Sequence, residues 1–340
     1  GMVVVRDGHV LGEGHWISSP DYLRQSRSVT KSVTSTLIGI AIERGFIGGL
    51  QDRMVDYLPA EYIPDDPAKH EITIFHLLTM VSGFEWNEDA QIVDWLYNDD
   101  PLAYALDRPL AAPPATVFNY DTASSHLLSV ILTEATGMST LEFADEVLFG
   151  PLGITVRQWN TVGDYHNGGH NLFLLTEDMA KLGITFLNRG AYGGRQIVSN
   201  YWVNRSTFGD VNHIGDNGSL LDMGYGWLWW LGTGQGYEIH TAIGWGGQYV
   251  FCVPALNLVV AVHSLGPAAP AEARAQETAI QNVIIDQLLP AVTDRREFRV
   301  TGEPVPELAA IDDFVEAVMV EYDIHASQVA IAKDGRLVLA

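Results

Sequence analysis

The period of the apolar pattern changes along the chain, and that change limits the fold more than any single residue does. Residues 2–16 read Met-Val-Val-Val-Arg-Asp-Gly-His-Val-Leu-Gly-Glu-Gly-His-Trp, two apolar runs flanking Asp7-Gly8, which predicts an opening β-hairpin. From Ser26 to about Gly45 the apolar positions Val29, Val33, Leu37, Ile40 and Ala41 recur at helical spacing, and Gly45, Gly48 and Gly49 close the pattern. Between about 50 and 175 the helical signals are broken by Pro and Gly loops at 110–116 and 150–153, which predicts a helical lobe. Beyond Met223 the texture turns aromatic and β-branched, with strands expected at Tyr225–Leu231, Gly247–Val253 and Leu258–His263 and a helix over about 271–289. The expected class is α+β: a sheet domain drawn from residues 1–50 and 175–300, with a helical domain over 51–174 between its parts.

A chain of 340 residues, 47% of them hydrophobic, is long enough to bury a large core. Its 42 acidic residues against 19 basic ones leave a formal charge of −23, a field that repels a phosphate backbone and an anionic membrane alike. Nucleic acid is therefore not an expected partner. No apolar run approaches the ~20 residues needed to span a bilayer, so a soluble protein is expected. The single cysteine, Cys252, sits in Tyr-Val-Phe-Cys-Val and reads as part of a buried strand. The N-terminus lacks the regions of a signal peptide, and Gly1 ahead of Met2 reads as an added residue, which leaves cytoplasm and periplasm both open.

The two ends of the chain resemble each other. Met2-Val-Val-Val-Arg-Asp-Gly-His-Val-Leu aligns without gaps to Val329-Ala-Ile-Ala-Lys-Asp-Gly-Arg-Leu-Val, a displacement of 327 residues. Ahead of the second copy, Leu308, Ile311, Phe314, Val315 and Val318 predict an amphipathic helix over 308–324. Chance likeness of two Asp-Gly hairpins is one reading; a segment 301–340 that resembles the start of a second copy of the domain is the other.

Only four lysines occur in the chain, and Lys31 lies three residues after Ser28 in Ser28-Val-Thr-Lys31. Sixteen serines and a lysine frequency of 4 in 340 give about 0.2 such matches by chance, so the motif needs context. At the start of a helix this spacing puts the amine one turn above the hydroxyl on the same face. A serine hydroxyl becomes a nucleophile when a neighbour takes its proton, and a lysine does so when desolvation lowers its pKa. Spacing alone also fits Ser28 as a helix cap with Lys31 on a solvated face. Two further segments bear on the choice. Tyr120 stands at a predicted loop-to-helix junction as a candidate proton relay, and Trp245-Gly246-Gly247-Gln248 puts consecutive glycines at the head of a strand, where backbone N–H groups can hold an oxyanion.

Together, in this order and at these separations, the segments resemble the serine hydrolases of the class C β-lactamase and penicillin-binding-protein superfamily. The resemblance covers about residues 2–290 and also takes in Ile74–Gly83, Phe118-Asn-Tyr120, Thr133–Gly137, Pro151–Ile154, Leu175–Met179 and Gly224–Trp230. It implies an antiparallel sheet flanked by helices beside an all-helical domain, with the active site in the cleft between them. Carried over by position, it makes Ser28 the acyl-accepting nucleophile, Lys31 the residue that helps deprotonate it and Tyr120 the proton shuttle to the leaving group. The backbone N–H groups of Ser28 and Gln248 then form the oxyanion hole. No cofactor and no metal is implied.

Two departures bear on substrate. The β-lactamases of this group carry Tyr-x-Asn where this chain has Tyr120-Asp-Thr122, and Lys-Thr-Gly where it has Trp245-Gly246-Gly247. The first weakens amide recognition; the second removes a cation that helps hold the substrate carboxylate. The Trp-Gly-Gly form is similar to family VIII esterases and to relatives of 6-aminohexanoate-dimer hydrolases. A small ester or linear amide is therefore the expected substrate, with β-lactamase or D,D-peptidase activity, or a catalytically silent ligand-binding protein, as alternatives. Thr122, Trp245, Gly246 and Gly247 are the expected substrate contacts.

Trp86, Trp95, Tyr97, Trp227, Trp229 and Trp230 are candidates for an acyl pocket or for core packing. His166 and His170 have metal-like spacing without a completing carboxylate or cysteine, and Asp65-Asp66 and Asp99-Asp100 read as solvated loop charges. In the superfamily a helix normally precedes the first strand. Helix 308–324 is accordingly expected to fill that slot, in its own subunit or in a neighbour as part of a homo-oligomer.

Overall fold

The computed structural model describes residues 1–16, 19–293, 331–333 and 336–339. Residues 1–292 form one compact unit. Its centre is an eight-stranded antiparallel sheet of β1 (Met2–Arg6), β2 (His9–Gly14), β3 (Val211–Asn217), β4 (Leu220–Tyr225), β5 (Trp230–Gly234), β6 (Tyr237–Gly244), β7 (Gln248–Val253) and β8 (Leu258–Val262). The spatial order is β2-β1-β8-β7-β6-β5-β4-β3, so the opening hairpin pairs with the last strand of the sheet, Val4 opposite Val260. The expected class holds, and the sheet is drawn from both sides of a helical stretch.

Period-2 alternation divides the central strands between two cores. Val250 and Cys252 of β7, with Val259 and Ala261 of β8, join one cluster, while Tyr249, Phe251 and Val253, with Val260 and Val262, join the other. The first cluster includes helix α1 (Val29–Glu43); the second includes Ile284, Ile285 and Leu289, which follow the later helix Pro270–Val283. Both faces of β7 and β8 are buried, which is why their sequences are apolar throughout. Helices α2 (Ile74–Leu78), α3 (Glu88–Leu96), α4 (Pro101–Asp107), α5 (Thr122–Thr136) and α6 (Thr140–Ala144) make up the lobe predicted between the two parts of the sheet.

Helix α1 is buried from Val29 through Ala41, on every side rather than along one stripe. Its polar residues are small enough to find partners there: Ser32 Oγ donates to the Leu228 carbonyl at 2.7 Å and Thr34 Oγ1 to that of Gly168 at 2.8 Å. Gly39 admits the ring of Trp202, since a Cβ at this position would lie 2.4 Å from it. Gly39→Val is expected to lower the unfolding free energy by ~2 kcal/mol, because overpacking a closed core outweighs the few tenths that Val regains over Gly in helix propensity. A shift of the urea midpoint at unchanged slope would measure it.

The expected strand at 225–231 is corrected. Tyr225 ends β4 and Trp230 begins β5, and between them Gly226 N–H donates to the Trp229 carbonyl at 2.9 Å with Leu228 at φ 60°. The residues make a tight turn whose aromatic composition imitates a strand. The terminal helix runs over Pro270–Val283 and continues as a wider turn through Ile284–Leu288, close to its expected range.

Near the other end, β9 (Ile331–Lys333) pairs antiparallel with β10 (Arg336–Leu339). It pairs Lys333 with Arg336, Ala332 with Leu337 and Ile331 with Leu339, with a bulge between Ile331 and Ala332. The opening hairpin pairs Arg6 with His9, Val5 with Val10 and Val4 with Gly12, with its bulge between Val4 and Val5. Register and bulge coincide at the displacement read in the sequence, so the likeness extends from residue identity to hydrogen-bond pattern. The helix expected over 308–324 lies outside the described residues.

Candidate active site

Ser28 is presented by a strained turn. Arg24 and Gln25 pair with Leu174 and Phe173, and Ser26, fully buried, accepts no freedom: its N–H and Oγ both donate to the Leu172 carbonyl, at 2.8 and 2.9 Å. Arg27 then adopts φ 53°, a left-handed conformation that costs a non-glycine residue free energy and occurs where function needs it. Ser28 follows at the head of α1, and its side chain makes no capping bond. The cap reading therefore gives way to the pairing: Lys31 Nζ donates to Ser28 Oγ at 3.0 Å. Lys31 is only 1% exposed, which rules out the solvated face.

Two more acceptors complete the lysine's surroundings. Nζ also donates to Thr122 Oγ1 at 2.8 Å and to the Gly169 carbonyl at 3.0 Å. Burial pulls the Lys31 pKa down to about 8, against the opposing attraction of Glu88 and Asp121. The Asp121 carboxylate is itself spent on the first turn of α5, accepting from Ser124 N–H at 3.0 Å and from Ser124 Oγ at 2.5 Å.

Tyr120 stands immediately before that turn and its hydroxyl is hydrogen-bonded to Ser28. Its ring lies 4.8 Å from Lys31 Nζ and stacks on Trp230 with centroids 5.6 Å apart. Desolvation raises the phenol well above its ordinary range, and Glu88 and Glu277 raise it further, so the hydroxyl carries its proton at neutral pH.

The turn between β6 and β7 supplies the opposite wall. A Cβ on Gly244 would lie 2.6 Å from the Ser26 carbonyl and 3.0 Å from Arg27 Cβ, so glycine lets the end of β6 close against the Ser28 turn. Gln248, register partner of Gly244, is thereby brought to the head of α1. Its side chain is used elsewhere, donating to the Trp245 carbonyl at 3.1 Å and accepting from Ser264 N–H at 2.9 Å. Gly246 and Gly247 take φ 76° and 92°, and a Cβ on either would meet Gly266 Cα or Ile280 Cδ1 at 2.4 Å. Gly246 N–H donates to Glu277 Oε1 at 2.6 Å, a carboxylate beside the position where the resemblance calls for a lysine. Burial raises the Glu277 pKa, with that bond and Arg274 opposing.

The structure thus gathers Ser28, Lys31, Tyr120 and Thr122 around one amine and brings Gln248 and the Trp245-Gly246-Gly247 turn beside them. Thr122 is 1% exposed, and its hydroxyl is engaged by Lys31 and Glu88. Sequence reading missed Glu88 and Glu277. Glu88 follows the capping residue Asn87 and carries the ordinary signature of a helix first turn, so nothing local distinguished it.

A family model described as Beta-lactamase matches residues 1–284 of this site-bearing unit. The chain belongs to the Beta-lactamase family. It is similar to the 6-aminohexanoate-dimer hydrolase of Paenarthrobacter ureafaciens, 27% identical over 294 residues that cover 78% of this chain and 72% of that one. The fold matches an octameric penicillin-binding protein homologue from Pyrococcus abyssi at a TM-score of 0.67, with 19% identity over 85% of this chain and 72% of that one. It also matches EstCE1, a hydrolase with promiscuous acyltransferase activity, at 0.62, with 15% identity over 82% of this chain and 92% of that one.

In this Beta-lactamase family chain the remaining candidates divide between packing, hydrogen bonding and exposed positions. Trp95, Trp227 and Trp229 are buried at 0–1% and Trp86 at 6%, whereas Tyr97 is 84% exposed; Trp230 alone of the six stacks on a site residue. His166 bonds the Trp159 carbonyl and His170 bonds Asn167, and no cluster of three metal-ligating side chains occurs among the described residues. Asp66 and Asp100 each cap a helix, accepting from Ala68 and Ala103 N–H, which refines their reading as loop charges. Among the described residues no helix is long and apolar enough to cross a membrane.

Proposed function

We propose that the chain is a serine hydrolase that forms an acyl-enzyme on Ser28 and cleaves a small ester or linear amide. The observation that carries this reading is the buried Lys31 amine 3.0 Å from Ser28 Oγ. Lys31 as free amine takes the hydroxyl proton while Oγ attacks the carbonyl carbon. The backbone N–H groups of Ser28 and Gln248 receive the oxyanion, and Tyr120 donates to the departing oxygen or nitrogen. Water then attacks the acyl-enzyme, with the same groups acting in reverse.

Substrate class follows from the turn at 245–247. An uncharged indole and the Glu277 carboxylate occupy the wall where a substrate carboxylate would need a cation, which disfavours anionic β-lactams. The 6-aminohexanoate-dimer hydrolase relative supports a linear amide, and esters, as more reactive acyl compounds, are open to the same attack. With purified protein, kcat/KM for a short-chain p-nitrophenyl ester is expected to exceed that for a chromogenic cephalosporin by about 10²-fold, the worth of a lost charge-assisted anchor. A preference for the cephalosporin would reverse the assignment.

A further inference from the structure

The proposed base has three hydrogen-bond partners, and their donor and acceptor roles are fixed by a residue whose own hydrogen bonds go to Trp86 and Thr122 rather than to Ser28. As ammonium, Lys31 spends its three N–H groups on Ser28 Oγ, Thr122 Oγ1 and the Gly169 carbonyl. As free amine it keeps two N–H groups and one lone pair. The Gly169 carbonyl can only accept, so it always claims one N–H. A hydroxyl can accept or donate, and Thr122 is therefore the group that decides where the lone pair points.

Glu88 removes that choice. Thr122 Oγ1 donates its proton to Glu88 Oε1, in a short hydrogen bond, and so can offer Lys31 only an acceptor. The second carboxylate oxygen is held by Thr122 N–H at 3.2 Å and by Trp86 Nε1–H at 2.6 Å, so the carboxylate cannot turn away. Both N–H groups of the neutral amine are then claimed, by Gly169 and Thr122, and the lone pair is left facing Ser28 Oγ. We propose that Glu88, acting through Thr122, is the positioning residue that aims the Lys31 lone pair at Ser28. In the step it serves, the Ser28 O–H bond breaks, its proton joins the Lys31 lone pair, and the Oγ electron pair forms the bond to the acyl carbon as the carbonyl π pair moves onto the oxyanion; Glu88 exchanges no proton in it. The logic is that of the carboxylate that orients a catalytic histidine, carried by a hydroxyl and an amine. It rests on the serine-hydrolase reading above.

The same geometry makes Glu88→Gln a sharp test. Two donors already face the Oε2 position, so the glutamine must put its carbonyl oxygen there and its NH₂ against Thr122. The threonine then accepts from Gln and donates to Lys31, which turns the lone pair away from Ser28. In the full chain, Glu88→Gln is expected to slow both ester kcat/KM and fluorophosphonate labelling by about 10²-fold, within the range of general-base catalysis, with KM and Tm near wild type. Thr122→Val is expected to lose as much and Thr122→Ser to stay within about threefold. In the Thr122→Val background, Glu88→Gln should add nothing, since the two act as one unit. A wild type that neither labels nor turns over would sink the hydrolase reading itself. If the wild type is active, a Glu88→Gln rate within threefold of it, or a loss undiminished in the Thr122→Val background, would overturn the positioning role.

Discussion

Ser28→Ala is expected to abolish ester turnover and the covalent fluorophosphonate adduct together, while the protein remains folded. The substitution deletes one oxygen that makes no helix-capping bond, so the structure loses the acceptor at 3.0 Å from Lys31 and the contact with Tyr120. Removing the nucleophile of a catalytic unit costs on the order of 10³–10⁶-fold, and the residual rate reflects the oxyanion donors and binding, which this variant keeps. Intact mass after incubation with the probe reads the adduct directly. An unchanged adduct in Ser28→Ala would place the nucleophile on another residue and refute the mechanism proposed here.

Lys31→Met is expected to cost about 10³-fold in kcat/KM, the middle of the range for a positioned proton acceptor. Methionine keeps the length and apolar stem in a site that is 1% exposed, so packing is largely conserved and the loss reports on the amine. The pH profile distinguishes the lysine further. Only the free amine can accept the Ser28 proton, so kcat/KM should rise with pH as Lys31 deprotonates, through about 8 rather than near the ordinary lysine value. Burial sets that position; Glu88 and Asp121 oppose it, and the neighbouring Tyr120 keeps its proton across the same range. The rising limb should vanish in Lys31→Met, leaving a low, flat rate. A limb of unchanged midpoint in that variant would assign the titration to another group.

The elements that follow from local sequence are the ones whose signal is itself local. The opening hairpin is fixed by Asp7-Gly8 and the helix after Ser28 by apolar spacing, and both appear where the residues put them. Tyr225–Leu231 misleads because alternating aromatics satisfy a strand pattern while Gly226 and Leu228 supply the bond and the backbone angle of a turn. Whether Lys31 is solvated or enclosed cannot be read from three-residue spacing, since α5 and residue 169, far along the chain, close over it. Tyr120 and the Trp245–Gln248 turn stand out locally, as a tyrosine at a loop-to-helix junction and as paired glycines before a strand, but their assignment beside Ser28 comes from the family resemblance; no spacing rule joins positions so distant. Glu88 was invisible for the same reason, its partner Thr122 lying 34 residues away on another helix.

The burial of α1 on all sides has a consequence for how a protein of this kind can diversify. The helix that carries Ser28 and Lys31 is also the axle of the core, packed against Trp202, the sheet and the lobe at once. If Ser28 and Lys31 act as proposed, catalytic geometry and structural integrity are written in the same helix, and a lineage has almost no neutral path for altering one without the other. Novelty has to enter at the rim, through Trp245, Glu277 and the loops around Tyr97 and Val117, where side chains are partly or wholly exposed. On the mechanism proposed above, substrate preference can change at that rim while the helix and its two residues stay as they are.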